Sequence, residues 1–198
     1  GVLLGLLWFA TAPASQAAEA PQTADPKTYL ADLSAVLNRS WPTNRAVHIV
    51  CHGHSVPAGY FKTPVVDTFN AYPHLLHQGL KDRFPRAVIN VIVTAIGGED
   101  SEGGAKRFER DVLSLRPDVV TIDYGLNDRR IGFERAAAAW ESMIALAKAK
   151  DVKVILLTPT ADLREPLGDP QQPLLRHAEF APERLRLIVF LVNAHPQF

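Results

Sequence analysis

The sequence predicts a three-layer α/β/α sandwich built around a central parallel sheet of about five strands. Short continuous apolar runs recur along the chain, as strands buried on both faces require. Segments with apolar residues at helical spacing separate these runs. Most of the runs end in turns rich in glycine or polar residues. Strand and helix signals that alternate in this way favour right-handed crossovers and a parallel sheet with helices on both faces.

A linker and a helix are predicted in residues 21–45, ahead of the domain, where Pro26 suits the first turn of the helix. The first strand follows at residues 46–51. A second helix is predicted from apolar residues on one stripe, namely Phe69, Tyr72, Leu76 and Leu80. Residues 88–94 are β-branched and apolar, which predicts the second strand.

The same alternation continues toward the C-terminus. Strands are predicted at residues 119–124, 152–157 and 187–192. Two helical stripes lie between the earlier strands: Ala105, Phe108, Val112 and Leu115, closed by Pro117, and then Phe133, Ala137, Trp140, Ile144 and Ala147. The domain is therefore expected to extend over residues 46–198.

Composition limits the classes of partner. The chain has 198 residues, of which 47% are apolar and 21% charged, enough for one globular domain with a substantial core. Its 21 basic and 21 acidic side chains cancel, which argues against a nucleic-acid groove or a surface for anionic membranes. The single cysteine, Cys51, excludes an internal disulfide and is expected to be a small buried hydrophobe.

The first twenty residues differ from the rest and are interpreted as a signal peptide. Residues 2–10 form an apolar run too short to span a bilayer, and residues 17–20 read Ala-Ala-Glu-Ala, the small-x-small pattern of a cleavage site. We therefore expect a secreted or periplasmic protein with no stable membrane insertion after cleavage.

Three polar turns follow three different predicted strands, and each carries a residue suited to ester chemistry. Ser55 follows Gly53 after the first strand, Gly98 follows the second, and Asn127 follows the third. In open α/β sheets, ligands bind outside the carboxyl ends of the strands, so the three turns are expected to converge. A serine nucleophile with a glycine N–H and an asparagine amide as oxyanion donors points to ester cleavage.

These turns resemble the sequence blocks of the SGNH (GDSL-type) hydrolases, a family of esterases, lipases and carbohydrate deacetylases. Gly53-His54-Ser55 is similar to the family's Gly-Asp-Ser, Gly98-Glu99 to its second block, and residues 125–128 match Gly-x-Asn-Asp in full. The resemblance implies the flavodoxin-like SGNH fold. It also implies Ser55 as nucleophile, with the Ser55 amide, Gly98 and Asn127 as the oxyanion hole.

The family's fourth element, Asp-x-x-His, has no clear match. The resemblance favours His195 as the catalytic base, but Val192 stands where the orienting aspartate is expected. Asp162 and Asp169 are other acids that could serve. The residues from about 181 onward look unlike a family C-terminus. An alternative is therefore a catalytically impaired domain that binds a glycan or acyl ligand without turnover.

His54 and Asp128 are predicted to contact the substrate, which is expected to be a small-molecule or carbohydrate ester. Two other roles for His54 are less favoured. Chelation of a metal by His52 and His54 lacks a third ligand in the pattern, so we predict no metal and no cofactor. A role for His54 as substitute base is disfavoured, because neighbouring side chains on an extended segment point to opposite faces. The sequence carries no signal for the oligomeric state.

Overall fold

A computed structural model of the chain describes residues 24–25 and 27–157, together with the backbone of a short strand beyond them. The predicted signal peptide and His195 lie outside these residues. The sheet has five parallel strands in the order β2-β1-β3-β4-β5, which confirms the predicted fold class. The strands are β1 (Ala46–Gly53), β2 (Val88–Val93), β3 (Val119–Asp123), β4 (Lys153–Leu157) and β5 (Ile188–Phe190).

In the described part of the chain, the first helix precedes β1 and the other helices lie between successive strands. They are α1 (Ala31–Leu37), α2 (Ser55–Ala58), α3 (Tyr72–Arg83), α4 (Ser101–Asp111), α5 (Gly125–Asp128) and α6 (Phe133–Lys148), with 3₁₀ turns at Thr68–Asn70 and Leu113–Leu115. Among the described residues, no helix combines the length and the apolar character needed to cross a bilayer.

Two apolar cores, one on each face of the sheet, hold the layers together. On one face, α4 and α6 pack against strands β1, β3 and β4 through residues such as Phe108, Trp140 and Ile122. On the other face, α1 and α3 cover β1 and β2, with Leu33 and Ile49 in that core. Strands that are buried on both faces need apolar residues at consecutive positions, which explains the continuous runs in the sequence.

The order of the strands in the sheet determines where the candidate site lies. The chain passes from the central strand β1 to β2 on one side of the sheet, and then to β3 on the other side. Such a reversal leaves a crevice at the carboxyl ends of the two central strands. In the register of these strands Gly53 pairs with Asp123, so the turns that follow them start side by side.

Two helix predictions need correction. The predicted stripe of α3 includes Phe69, but this residue lies in the 3₁₀ turn before the helix and is 72% exposed. The first helix begins at Ala31, since the backbone N–H groups of Thr28 and Tyr29 bond to the Asp25 carbonyl in a turn. Helix α4 is capped by Asp100, whose side chain accepts a hydrogen bond from the Gly103 N–H at 3.1 Å.

Candidate active site

The turn that carries Ser55 joins β1 directly to helix α2. Ser55 is the first residue of α2 and is partly exposed. Because the first N–H groups of a helix have no intrahelical acceptor, the Ser55 N–H is available to a ligand. Gly53 permits this tight turn: a Cβ there would lie 2.5 Å from the Asp123 carbonyl oxygen and 2.9 Å from Pro57 Cγ. No residue larger than glycine fits.

His54 is buried beside the serine, with only 1% of its surface exposed. Its Nδ1 accepts a hydrogen bond from the Val56 N–H at 3.2 Å and lies 3.3 Å from Ser55 Oγ. Its Nε2 lies 3.3 Å from Asp123 Oδ1. The expectation that His54 and Ser55 point apart was wrong, because the extended strand ends at Gly53 and the chain turns into a helix. Because so little of His54 is exposed, its contact with substrate stays a prediction.

The loop after β2 lies against the turn that carries Ser55. The Ile96 N–H bonds to the Gly53 carbonyl at 3.0 Å, and a Cβ on Gly97 would lie 3.2 Å from the Tyr60 ring. Gly98 adopts a φ of 79°, the left-handed region that favours glycine. Within residues 27–157, the Gly98 N–H has no hydrogen-bond acceptor. An exposed N–H of this kind is suited to bind a substrate oxygen.

The third turn brings Asn127 to the same loop. Asn127 lies in the short helix α5, and its Nδ2 donates a hydrogen bond to the Glu99 carbonyl at 2.8 Å. An amide nitrogen carries two hydrogens, so one donor remains. The Arg130 guanidinium donates to the Gly98 carbonyl, a second link between the loops. The predicted convergence of the three turns is thus visible in their mutual hydrogen bonds.

A buried polar network contacts these loops from the interior of the protein. It was not predicted from the sequence. The Tyr124 hydroxyl donates to Glu99 Oε2 at 2.9 Å, and Arg107 forms an ion pair with the same carboxylate. Tyr124 also lies 3.1 Å from His52 Nε2. Desolvation lowers the pKa of His52 to about 4, so this imidazole is neutral. Gly104 makes room for Tyr124, since a Cβ at this position would overlap the tyrosine hydroxyl.

Asp128 was predicted to contact the substrate, but its exposed fraction is 0%. Its Oδ1 accepts a hydrogen bond from the Ser101 N–H at 2.8 Å, which ties α5 to the start of α4. Burial raises the pKa of Asp128 to about 6, against the opposing effect of the Ser101 hydrogen bond. The side chain therefore supports the site from within the protein.

The raised pKa of Asp128 predicts a pH-dependent stability. A carboxyl with a higher pKa in the folded state favours folding at low pH, and this stability is lost as pH rises from about 4 to about 6. The difference between the pKa of Asp128 in the folded protein and its ordinary value corresponds to roughly 3 kcal/mol. The free energy of unfolding of Asp128→Asn minus that of the wild type should therefore rise by up to this amount between pH 4 and pH 7, measured by urea unfolding. A constant difference would contradict the raised pKa.

The two histidines of the first strand end are both engaged within the protein. His52 Nδ1 bonds to Thr94 Oγ1 at 2.8 Å, and its Nε2 lies 3.2 Å from the Gly104 carbonyl. Both ring nitrogens of His54 also have protein partners. In the described part of the chain, no group of three His, Cys, Asp or Glu side chains is arranged to hold a metal. His195, Asp162 and Asp169 fall outside the described residues.

Comparison with known families gives one match. Residues 51–187 match the GDSL-like lipase/acylhydrolase family, and this range includes all three turns of the candidate site. No curated protein sequence is similar enough to count as a match.

Several solved structures share the fold. A two-domain esterase active on acetylated mannans has a TM-score of 0.63 at 22% identity, covering 82% of this chain and 41% of that one. An acetylxylan esterase from Geobacillus stearothermophilus has a TM-score of 0.60 at 21% identity, over 75% and 77%. The psychrotrophic esterase EstA from Pseudoalteromonas sp. has a TM-score of 0.53 at 20% identity, over 72% and 76%. This chain thus spans about two fifths of the length of the mannan esterase.

Proposed function

The chain belongs to the GDSL-like lipase/acylhydrolase family of ester hydrolases, and on that premise we propose that it is a secreted serine esterase. Its substrates would be small acyl esters, in particular acetyl groups carried by carbohydrates. The observation that carries this proposal is the meeting of three turns, which leaves a serine hydroxyl and several unused N–H donors at one edge of the sheet.

The proposed mechanism follows from these groups. Ser55 Oγ attacks the ester carbonyl carbon while its proton passes to a general base, for which His195 remains the predicted residue. The negative oxygen of the tetrahedral intermediate would accept hydrogen bonds from the Ser55 N–H, the Gly98 N–H and Asn127 Nδ2. The base then protonates the leaving alcohol, and water hydrolyses the acyl-enzyme in a second round.

The carbohydrate part of the proposal has a separate basis. The mannan esterase and the acetylxylan esterase that share this fold act on acetylated polysaccharides. Residues 1–20 have the pattern of an export signal, and polysaccharides are substrates found outside the cell. Both points favour a carbohydrate ester over a long-chain lipid ester.

Acetate release tests the proposal. Purified protein is incubated with acetylated mannan and acetylated xylan, and its rates on 4-nitrophenyl acetate and 4-nitrophenyl octanoate are compared. We expect acetate release from at least one polysaccharide and a higher kcat/KM on the acetate ester. Ser114→Ala is the matched control for Ser55→Ala, since this exposed serine lies in the 3₁₀ turn after the C-terminal end of α4, whereas the site lies at the N-terminal end of that helix.

The absence of an aspartate three residues before His195 favours one alternative, a domain that binds an acyl glycan without turnover. It predicts saturable binding of an acetylated oligosaccharide by calorimetry, with no acetate release and no burst of 4-nitrophenol. That combination of results would replace the esterase proposal.

A further inference from the structure

His54 stands where typical helix caps are Ser, Thr, Asp or Asn, and its side chain acts as such a cap. Its Nδ1 accepts the Val56 N–H, two residues further along, as the side chain of an N-cap residue does. A neutral imidazole accepts through only one nitrogen, so the proton must sit on Nε2. The Asp123 carboxylate lies 3.3 Å from that nitrogen and stabilises this tautomer.

The contact with the serine adds a second role to the cap. His54 Nδ1 lies 3.3 Å from Ser55 Oγ, so the lone pair that holds the Val56 N–H also faces the serine hydroxyl. A backbone hydrogen bond also holds His54 in place: the His54 N–H donates to the Asp123 carbonyl at 3.0 Å. Asp123 thus contacts His54 through both its main chain and its side chain.

We propose that His54, held in its Nε2–H form by Asp123, is a positioning residue that fixes the Ser55 hydroxyl at the start of helix α2. This inference rests on the proposed function, in which Ser55 is the nucleophile. Sequence reasoning did not include Asp123, although an acid that ends a buried apolar strand was a visible signal.

The same geometry argues against His54 as the general base. A proton placed on Nδ1 would face the Val56 N–H, so two donors would meet where one bond now exists. The imidazole is also buried, with 1% of the residue exposed, whereas a base must later reach the leaving alcohol. Another group must therefore accept the proton of Ser55. The role of His54 is to orient the Ser55 hydroxyl.

Substitutions at position 54 test the proposal. His54→Asn keeps a side-chain acceptor for the Val56 N–H, whereas His54→Ala removes it. We expect His54→Ala to lower kcat on 4-nitrophenyl acetate by about 10–100-fold with little change in KM, as misplaced reacting groups do. His54→Asn should recover most of this loss and leave the acid limb of the pH–rate profile in place. His48→Asn is the matched control, because His48 lies near the start of β1, the strand that leads to His54, and its ring contacts the Leu115 carbonyl.

Asp123→Asn tests the tautomer. In the wild-type background this change should lower kcat by about tenfold or more, because the proton of His54 is no longer held on Nε2. In the His54→Asn background it should cause no further loss, since the bond through which it acts is already gone. Circular dichroism at the assay temperature confirms that each variant is folded.

The rate of covalent labelling by a fluorophosphonate separates this inference from the proposed function. If the wild-type protein is not labelled at Ser55, the proposed function fails. If it is labelled, but His54→Ala is labelled as fast as the wild type, the positioning role is overturned. Loss of the acid limb in His54→Asn would also overturn it and would make His54 the base.

Discussion

Replacing Ser55 with alanine is expected to lower kcat/KM for 4-nitrophenyl acetate by a factor on the order of 10⁴ to 10⁶. Ser55 is partly exposed at the start of α2, where its Oγ is the candidate nucleophile. Without this atom no acyl-enzyme can form, and only the oxyanion donors and substrate binding remain to assist water. Initial rates over a range of substrate concentrations give the comparison.

The change should affect turnover and leave the fold intact. Alanine is smaller than serine, and among the described residues the one contact of Ser55 Oγ is the long one to His54 Nδ1. The midpoint of urea unfolding should therefore stay near that of the wild type, and Ser114→Ala should be fully active. A Ser55→Ala variant that hydrolyses the ester as fast as the wild type would remove Ser55 from the mechanism.

Replacing Asn127 with alanine has the next largest expected effect, a fall in kcat of about 10²–10³. The amide donates one hydrogen to the Glu99 carbonyl, which leaves the other for the oxyanion. An interaction that strengthens only in the transition state lowers kcat when removed and changes KM little. Steady-state kinetics on the same aryl ester measure both constants.

Two further variants make this test more specific: a control at another asparagine, and a substitution of the same size at Asn127. Asn90→Ala removes an exposed asparagine from the edge strand β2 and should leave the kinetics unchanged. Asn127→Asp keeps the size of the side chain but replaces its donor with a carboxylate, so it should be at least as impaired as alanine. Wild-type kcat in Asn127→Asp would show that no donor is needed there.

The fold could be predicted from sequence because its signals are local. The four long strands are buried on at least part of both faces, so each appears as a continuous apolar run whose ends were placed within about two residues. Phe69 was misplaced because apolar spacing alone does not reveal where a helix begins. The 3₁₀ turn before α3 continues the same spacing.

The candidate site could be predicted only in part from the sequence. The three turns were identified because each follows a strand, but the environments of their side chains depend on the register between strands. Gly53 and Asp123 are 70 positions apart, and their pairing brings Asp123 to His54. The ion pair of Glu99 with Arg107 likewise depends on how α4 packs. Asp128 is polar and follows Asn127, so nothing local indicates that it is buried.

If the chain is a serine esterase of the proposed kind, Ser55, Gly98 and Asn127 surround one reacting centre. A crystal structure of the protein after reaction with a fluorophosphonate tests it directly. We predict phosphorus bonded to Ser55 Oγ, with one phosphonyl oxygen about 3 Å from the nitrogens of Ser55, Gly98 and the Asn127 side chain. An adduct on another residue, or a phosphonyl oxygen that contacts neither Gly98 nor Asn127, would contradict it.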